Sequence, residues 1–137
     1  MSPDEMRALI VRYIDAYNRM DVAAMLAAVH PEVEFESIAN GETTVATRGA
    51  EALRALALQS MLMVSERRQA PTSFAFTADG ATVGIHFTAT LSADLPSGMR
   101  KSDRMELDGR TEFRFRDGRI DRIADISEIE PPPENAA

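Results

Sequence analysis

The chain contains no cysteine and only two histidines, His30 and His86, among its 137 residues. Without cysteine it has no disulfide bond, no thiol nucleophile and no zinc–thiolate site. The two histidines are far apart and lack a metal-binding spacing, which argues against a metal held by protein side chains. The chain also lacks a glycine-rich phosphate loop, a nucleophile elbow and a zinc-protease motif. We therefore expect a function that needs no cofactor and no metal.

Long apolar segments and basic clusters are missing as well. No apolar run approaches the roughly 20 residues that span a bilayer. The first residues, MSPDEMR, lack the apolar stretch of a signal peptide. The net charge is −7, whereas a protein that follows a phosphate backbone needs a basic surface. We expect a cytoplasmic protein that binds neither nucleic acid nor membranes.

Two helix starts are marked by capping residues near the beginning of the chain. Ser2 and Glu5 have the spacing of a capping box, and apolar residues then recur at helical spacing to Tyr17. This first helix is predicted to end near residue 19 or 20. Asp21 is a second capping residue, for a short helix over residues 22–29 that His30-Pro31 ends. His30 is expected to help cap that helix end.

A third helix is predicted from Gly49 to about Arg67. It is apolar nearly all round, so we expect it to be covered on more than one side. Residues 40–47 form a polar loop with room for a short strand. Alternation of apolar and polar residues predicts the strands, with hairpin turns at Asp79-Gly80 and Asp117-Gly118. The predicted strands are Glu32–Ile38, the segment entered at Pro71 with Phe74 and Phe76, residues 81–91, residues 105–116 and the strand after Gly118.

Helices come first and an antiparallel run of four strands comes last, so the predicted class is α+β. We expect a cone-shaped roll in which three N-terminal helices pack on a strongly bent, mainly antiparallel sheet and leave a cavity between them. The length suits one domain, predicted over residues 1–130, followed by a disordered tail over residues 131–137 (PPPENAA).

Four segments, RYIDAYNRMD, HPEVEFES, RGAEALRAL and FRFRDGRIDRIAD, follow one another in an order that resembles the nuclear transport factor 2-like superfamily. Within it the chain looks closest to the SnoaL-like and ketosteroid-isomerase-like branch, over about residues 5–128. The resemblance implies a cystatin-like α+β roll with a hydrophobic pocket. It does not imply one reaction, because the superfamily includes isomerases, cyclases, dehydratases, epoxide hydrolases and non-catalytic modules.

Known catalytic sets of the superfamily are incomplete in this chain. Tyr13 matches the oxyanion-hole tyrosine of ketosteroid isomerases, but Ser37 replaces their aspartate base and Thr111 replaces their protonated aspartic acid. Limonene epoxide hydrolases have an Arg-x-Asp pair where this chain has Thr88 and Thr90. Their last-strand aspartate corresponds to Asp125. The resemblance therefore leaves Asp125 and Tyr13 as the catalytic candidates.

Asp125 is the leading candidate, and the sequence leaves its orientation open. Ile123 and Ile129 favour a side chain that points inward, whereas Ile120 and Ile126 favour one that points outward. An inward carboxylate surrounded by apolar walls would have a raised pKa and could act as an acid or base near neutral pH. The alternative is a solvated charge at an edge or interface. The pocket is expected to include Tyr17, Ser37, Met61, Phe87, Thr111, Phe113 and Ser127.

The polar sides of the late strands carry a mixed row of charges, and His86 is expected to face the same way, as a surface or interface residue. Such rows pair with neighbouring strands or across a subunit interface, and we expect a homodimer formed through the sheet. The charges concerned are Glu106, Arg110, Glu112, Arg114, Arg116 and Arg122.

Two functions remain open from the sequence. The first is a cofactor-independent isomerase, cyclase, hydratase or hydrolase that acts on a small, mainly apolar, carbonyl-containing molecule with Asp125 as acid/base. The second is a non-catalytic ligand-binding or dimerisation module with a vestigial pocket.

Overall fold

The computed structural model describes residues 1–96 and 98–128, so the predicted tail and Ile129 lie outside the described residues. Within these ranges the chain forms three helices and six strands. The helices are α1 (Pro3–Asn18), α2 (Val22–Ala27) and α3 (Ala50–Met61), and the strands are β1 (Val29–Ala39), β2 (Glu42–Arg48), β3 (Val64–Phe76), β4 (Gly80–Leu91), β5 (Arg104–Arg116) and β6 (Arg119–Ser127).

The predicted helix caps are confirmed. The backbone N–H of Glu5 donates to Ser2 Oγ over 3.1 Å, and Glu5 Oε1 accepts from the backbone N–H of Ser2 over 2.9 Å. At the second helix the backbone N–H of Ala24 donates to Asp21 Oδ1 over 3.0 Å. Each bond satisfies a backbone donor that the first turn of a helix leaves without a partner.

Two predicted helix ends were wrong. The second helix stops at Ala27, and His30 lies on β1 instead of capping a helix. The third helix stops at Met61, and Val64 already begins β3, where it pairs with Leu91 of β4. The pairing of the segment after Met61 with β4 outweighs a local composition, VSERR, that would also suit the last turn of a helix.

The segment between β1 and α3 is a hairpin. Asn40 and Gly41 have φ of 51° and 80°, the left-handed conformation of a tight hairpin turn, and β2 follows directly. The short strand that the sequence left open is therefore a strand of seven residues, antiparallel to β1.

The sheet has the strand order β2-β1-β6-β5-β4-β3. Strands β3 to β6 form the predicted antiparallel run, and β1 pairs with β6 in parallel. The helices pack on one face of this open, mostly antiparallel sheet, and the main core forms between them. The prediction of an α+β fold is confirmed. The largest fully buried side chains are Met6, Ile10, Ile14, Val33, Val83, Ile120 and Ile123.

A β-bulge at Asp121 changes which side chains of β6 face the helices. Phe115 pairs with Ile120 and Arg114 pairs with Arg122, so Asp121 is an extra residue on β6. Ile120 and Ile123 are both buried, although strict alternation would place them on opposite faces. The bulge therefore explains why Ile120 and Ile123 can both face the core, which the alternation of the sequence did not allow.

The third helix is covered on one side only, contrary to prediction. Leu53 and Ala57 are buried, but Leu58 is 42% exposed, and Leu62 at the end of the helix is 75% exposed. Helix packing needs only one apolar stripe, and the apolar residues of the other side stay at the surface.

The outer face of the sheet carries the predicted charge row, and its members pair with neighbouring strands. Arg122 lies 3.8 Å from both Glu36 on β1 and Glu112 on β5. Arg116 bonds to Glu32 over 2.8 Å and lies 3.7 Å from Asp121. Each ion pair at an exposed face contributes little to folding stability. The charged side chains of this row make the outer face of the sheet polar. No described helix is long and apolar enough to cross a membrane.

Gly109 of β5 lets the neighbouring strand β6 approach closely. A Cβ atom at this position would lie 2.7 Å from the carbonyl oxygen of Ile126, and that backbone atom cannot move without shifting β6. We predict that Gly109→Ala lowers the free energy of unfolding in urea by about 1–3 kcal/mol. Gly84→Ala on β4 is the control, because its Cβ would meet the hydroxyls of Ser73 and Thr72, which can rotate. Equal losses in the two variants would contradict the backbone clash.

Candidate functional site

Asp125 lies on the face of the sheet that the helices cover. It pairs with Ser37 of β1 on one side and with Thr111 of β5 on the other. Residues directly opposite one another on adjacent strands point to the same face, so the three form one polar row. Ser37 pairs in turn with Val45 of β2, and Thr111 pairs in turn with Val83 of β4. A single carboxylate thus lies in the middle of a row whose ends are apolar.

The carboxylate of Asp125 is held by one side-chain hydrogen bond. Thr111 Oγ1 donates to Asp125 Oδ1 over 2.8 Å. Desolvation by burial raises the pKa of Asp125 to about 6, and the bond from Thr111 opposes this rise because it stabilises the ionised form. A carboxyl group with such a pKa is partly protonated near neutral pH and can both accept and release a proton.

Two cavities meet at Asp125. The sheet cavity, of about 190 Å³, lies over β4, β5 and β6 and includes Ile85, Phe87, Leu107, Thr111 and Ser127. The helix cavity, of about 200 Å³, lies under the helices and includes Tyr13, Met25, Phe35, Leu53, Leu56 and Arg67. Asp125, Ser37 and Tyr17 line both cavities.

Two tyrosines of α1 line the helix cavity with Asp125. Burial raises the pKa of Tyr13 well above its ordinary value, and the negative charge of Asp125 adds to this rise. Burial also raises the pKa of Tyr17 to about 12, against the opposing effect of the positive charge of Arg67. Both hydroxyls therefore stay protonated at neutral pH and can donate hydrogen bonds to an oxygen in the cavity.

Arg67 is a cavity residue that the sequence did not reveal. It lies on β3, its side chain is buried, and its guanidinium lies 3.7 Å from the centre of the Tyr17 ring. Arg67 Nε donates to the backbone carbonyl of Tyr17 over 3.1 Å. The prediction of a helix as far as Arg67 hid this position, because a helical Arg67 would project differently from one on a strand.

The other predicted pocket residues divide into two groups. Tyr17, Ser37, Phe87, Thr111 and Ser127 line one or both cavities. Met61 and Phe113 line neither. Met61 is half-buried at the end of α3. Phe113 belongs to the core, where its ring makes an edge contact with that of Tyr13 at a centroid distance of 6.2 Å.

Both histidines lie away from the cavities. His86 is on the outer face, where Nδ1 lies 2.7 Å from Asp108 and Nε2 lies 3.0 Å from Glu106. The hydrogen bond to Asp108 raises its pKa. His30 Nδ1 accepts from the backbone N–H of Glu32 over 3.0 Å. In residues 1–96 and 98–128, no group of three or more histidine, aspartate or glutamate side chains is placed to hold a metal ion.

The raised pKa of Asp125 makes folding stability depend on pH. The group releases its proton at about 3.8 in the unfolded chain and at about 6 in the folded chain. The folded state therefore binds this proton more tightly between these pH values, and stability is lost as the pH rises through about 6. We predict that Asp125→Asn removes this loss, which is on the order of 3 kcal/mol. Urea unfolding below and above this range measures it.

The exposed acid Asp79, in the turn before β4, provides the control for this experiment. Asp79→Asn should follow the wild-type stability curve, because no burial acts on that group. A wild-type curve that runs parallel to that of Asp125→Asn over the whole range would contradict the assignment.

Comparison with known proteins identifies the family. The profile of the SnoaL-like domain matches residues 10–123. No curated protein sequence matches the chain.

Three solved structures are similar to this one. AclR from Streptomyces galilaeus, provisionally assigned as a hydroxylase, has a TM-score of 0.76 and 19% identity over 95% of this chain and 93% of its own. A SnoaL-like protein from Jannaschia sp. CCS1, provisionally assigned as a polyketide cyclase, has a TM-score of 0.75 and 14% identity over 91% and 88%. An uncharacterised cystatin-fold protein from Novosphingobium aromaticivorans has a TM-score of 0.68 and 16% identity over 92% and 98%. These likenesses show the shared fold, and with the family match they confirm the predicted resemblance: the chain belongs to the SnoaL-like domain family.

Proposed function

We propose that this cytoplasmic protein is a cofactor-independent enzyme that moves a proton on a small, mainly apolar carbonyl compound, with Asp125 as the acid/base. The observation that carries the proposal is the position of Asp125 between the two cavities, with Thr111 as its hydrogen-bond donor. In residues 1–96 and 98–128 no ion pair within 4.0 Å involves Asp125. Its desolvation is a cost to folding that a catalytic role would account for.

The proposed step begins at a carbon atom next to a carbonyl group. Asp125 accepts the proton from that carbon, the electron pair of the C–H bond moves into the enolate, and negative charge develops on the carbonyl oxygen. Tyr13, which lines the helix cavity with Asp125, is the proposed donor to this oxygen. The same proton then returns from Asp125 to a different atom of the product.

The enolate can lead to two products. Where a C=C bond is conjugated with the enolate, protonation at the far carbon of that bond gives isomerisation. Attack of the enolate carbon on a second carbonyl of the same molecule instead closes a ring, and Asp125 then returns the proton to the new alkoxide oxygen. The cyclase outcome is supported by the provisional assignment of the related protein from Jannaschia sp. CCS1. Both outcomes begin with removal of the proton by Asp125 and hydrogen-bond donation from Tyr13. One experiment on this first step therefore tests both.

The first step is tested with 2-tetralone, a two-ring ketone with acidic C–H bonds next to its carbonyl group. In D2O we expect the wild-type protein to accelerate exchange of these protons, measured by the loss of their ¹H NMR signals. Asp125→Asn should lower the rate about 100-fold or more, because the amide cannot accept the proton. The wild-type rate should rise with pH and level off above about 6, as Asp125 becomes ionised.

Asp79→Asn is the control and should keep the wild-type rate, because Asp79 lies in an exposed turn away from both cavities. An unchanged rate in Asp125→Asn would contradict the proposed base. Binding of 2-tetralone by the wild-type protein without any exchange would instead favour the alternative of a non-catalytic binding module.

We further propose that the outer face of the sheet pairs with a second copy of the chain. Its support is the row of exposed charges of both signs on this face. In a two-fold dimer, positive side chains of one copy can lie opposite negative side chains of the other. We predict that sedimentation equilibrium gives twice the chain mass, and that Arg114→Glu weakens the dimer by placing like charges near one another. A monomer mass for the wild-type protein at micromolar concentration would contradict this arrangement.

A further inference from the structure

Arg67 is a buried cation with no counterion in the part of the chain that the structure describes. The residue is 7% exposed. No ion pair within 4.0 Å that involves Arg67 forms among residues 1–96 and 98–128. Arg67 Nη2 is buried and has no hydrogen-bond partner among the described residues. Arginine side chains are almost never this buried without a paired charge.

The contacts that Arg67 does make are neutral. Its Nε donates to a backbone carbonyl, and its guanidinium stacks on the ring of Tyr17. These two interactions offset part of the free energy that the guanidinium loses when it leaves water. Neither of them supplies a negative charge. A buried charge costs several kcal/mol unless an opposite charge and hydrogen bonds compensate for it. An anion that also accepts a hydrogen bond from Nη2 would compensate for this buried charge.

Arg67 and Asp125 line the same cavity. Their charges act in opposite directions on both tyrosines of α1: Asp125 raises and Arg67 lowers the pKa of Tyr13 and of Tyr17. The remaining walls are mainly apolar, with Met25, Phe35 and the leucines of α3 among them. A ligand that complements this cavity has an apolar body and a single anionic group.

We propose that Arg67 binds the carboxylate of a mainly apolar organic acid and thereby makes the helix cavity selective for acids over neutral analogues. The planar guanidinium suits a carboxylate, because its N–H groups match the two oxygens in direction and charge. The identification of that acid as a substrate rests on the proposed function: a carboxylate held at Arg67 would orient the rest of the molecule towards Asp125. Binding itself does not depend on catalysis.

The test uses a matched pair of probes, 2-naphthoate and its neutral amide, 2-naphthamide. Their dissociation constants are measured by isothermal titration calorimetry at about pH 5, where Asp125 is mostly protonated and does not repel the acid. We expect the wild-type protein to bind 2-naphthoate about tenfold or more tightly than 2-naphthamide. Equal affinities in the wild-type protein would overturn the proposal without any variant.

Variants at two adjacent positions separate binding from structure. Arg67→Met removes the charge and keeps an unbranched apolar side chain, so it should abolish the preference for 2-naphthoate and leave the affinity for 2-naphthamide within about twofold. Arg67→Lys should keep part of the preference, because the charge remains but the planar donor group is lost. Arg68→Met is the control: Arg68 is exposed on the other face of β3, and its loss should keep the full preference. A preference that survives Arg67→Met would overturn the proposal.

The two proposals can fail separately. Loss of the 2-naphthoate preference in Arg67→Met, together with unchanged exchange of 2-tetralone in Asp125→Asn, would support the anion site and contradict the proposed base. Equal binding of 2-naphthoate and 2-naphthamide, together with loss of exchange in Asp125→Asn, would contradict the anion site and support the proposed base. If Arg67→Met does not fold, Arg67→Lys and the wild-type probe pair still decide the question.

Discussion

The desolvated carboxylate of Asp125 is the constraint around which the site is arranged. Partial withdrawal of a lone carboxylate from water is already expensive, and its hydrogen-bond donor, Thr111, stabilises the ionised form only in part. The pKa of Asp125 is therefore set by its surroundings in the fold and differs from that of an aspartate in water. The tyrosines of α1 respond to the same charge, because Asp125 raises the pKa of both. The proposed chemistry uses two of these groups, Asp125 as the base and Tyr13 as the oxygen donor.

The fold makes this arrangement possible through the pairing of three strands. The parallel pairing of β1 with β6 places Ser37 beside Asp125, and the antiparallel pairing of β5 with β6 places Thr111 on its other side. The bulge at Asp121 keeps Ile120 in the core on one side of the bend and Asp125 in the cavity on the other. Without the extra residue, one of these two side chains would be directed to the outer face. The edge strand β3 then contributes Arg67, which adds a positive charge to a helix cavity whose other walls are mainly apolar and include Asp125.

Features with local causes could be predicted from the sequence. The capping residues Ser2 and Asp21 act on their own helices, and the Asp117-Gly118 turn connects β5 with β6 as predicted. The predicted two-residue turn at Asp79-Gly80 is wrong in detail, because residues 77–79 connect β3 with β4 and Gly80 already lies in β4. Asn40-Gly41 is a strong local hairpin signal as well, and β2 follows it directly. The end of α3 was harder, because VSERR fits the last turn of a helix and becomes a strand only through pairing with β4.

The candidate site was predictable in part. Asp125 was identified, but alternation could not decide its orientation, since the bulge at Asp121 interrupts the period of two. Arg67 was missed for two physical reasons. Its strand was read as helix, and burial of an arginine without a counterion contradicts the usual rule that such side chains stay at the surface. Asp125 and Arg67, two charged side chains withdrawn from solvent, both line the helix cavity.

The most direct test of the account is a measurement of the pKa of Asp125 itself. The chain is labelled with ¹³C at aspartate carboxyl groups, the Asp125 signal is assigned by its absence in Asp125→Asn, and its chemical shift is followed through a pH titration by NMR. We predict that the pKa of Asp125 gives a midpoint at about 6. A midpoint near the ordinary value of about 4 would show a solvated carboxylate and would contradict the desolvated acid/base on which the proposed function depends.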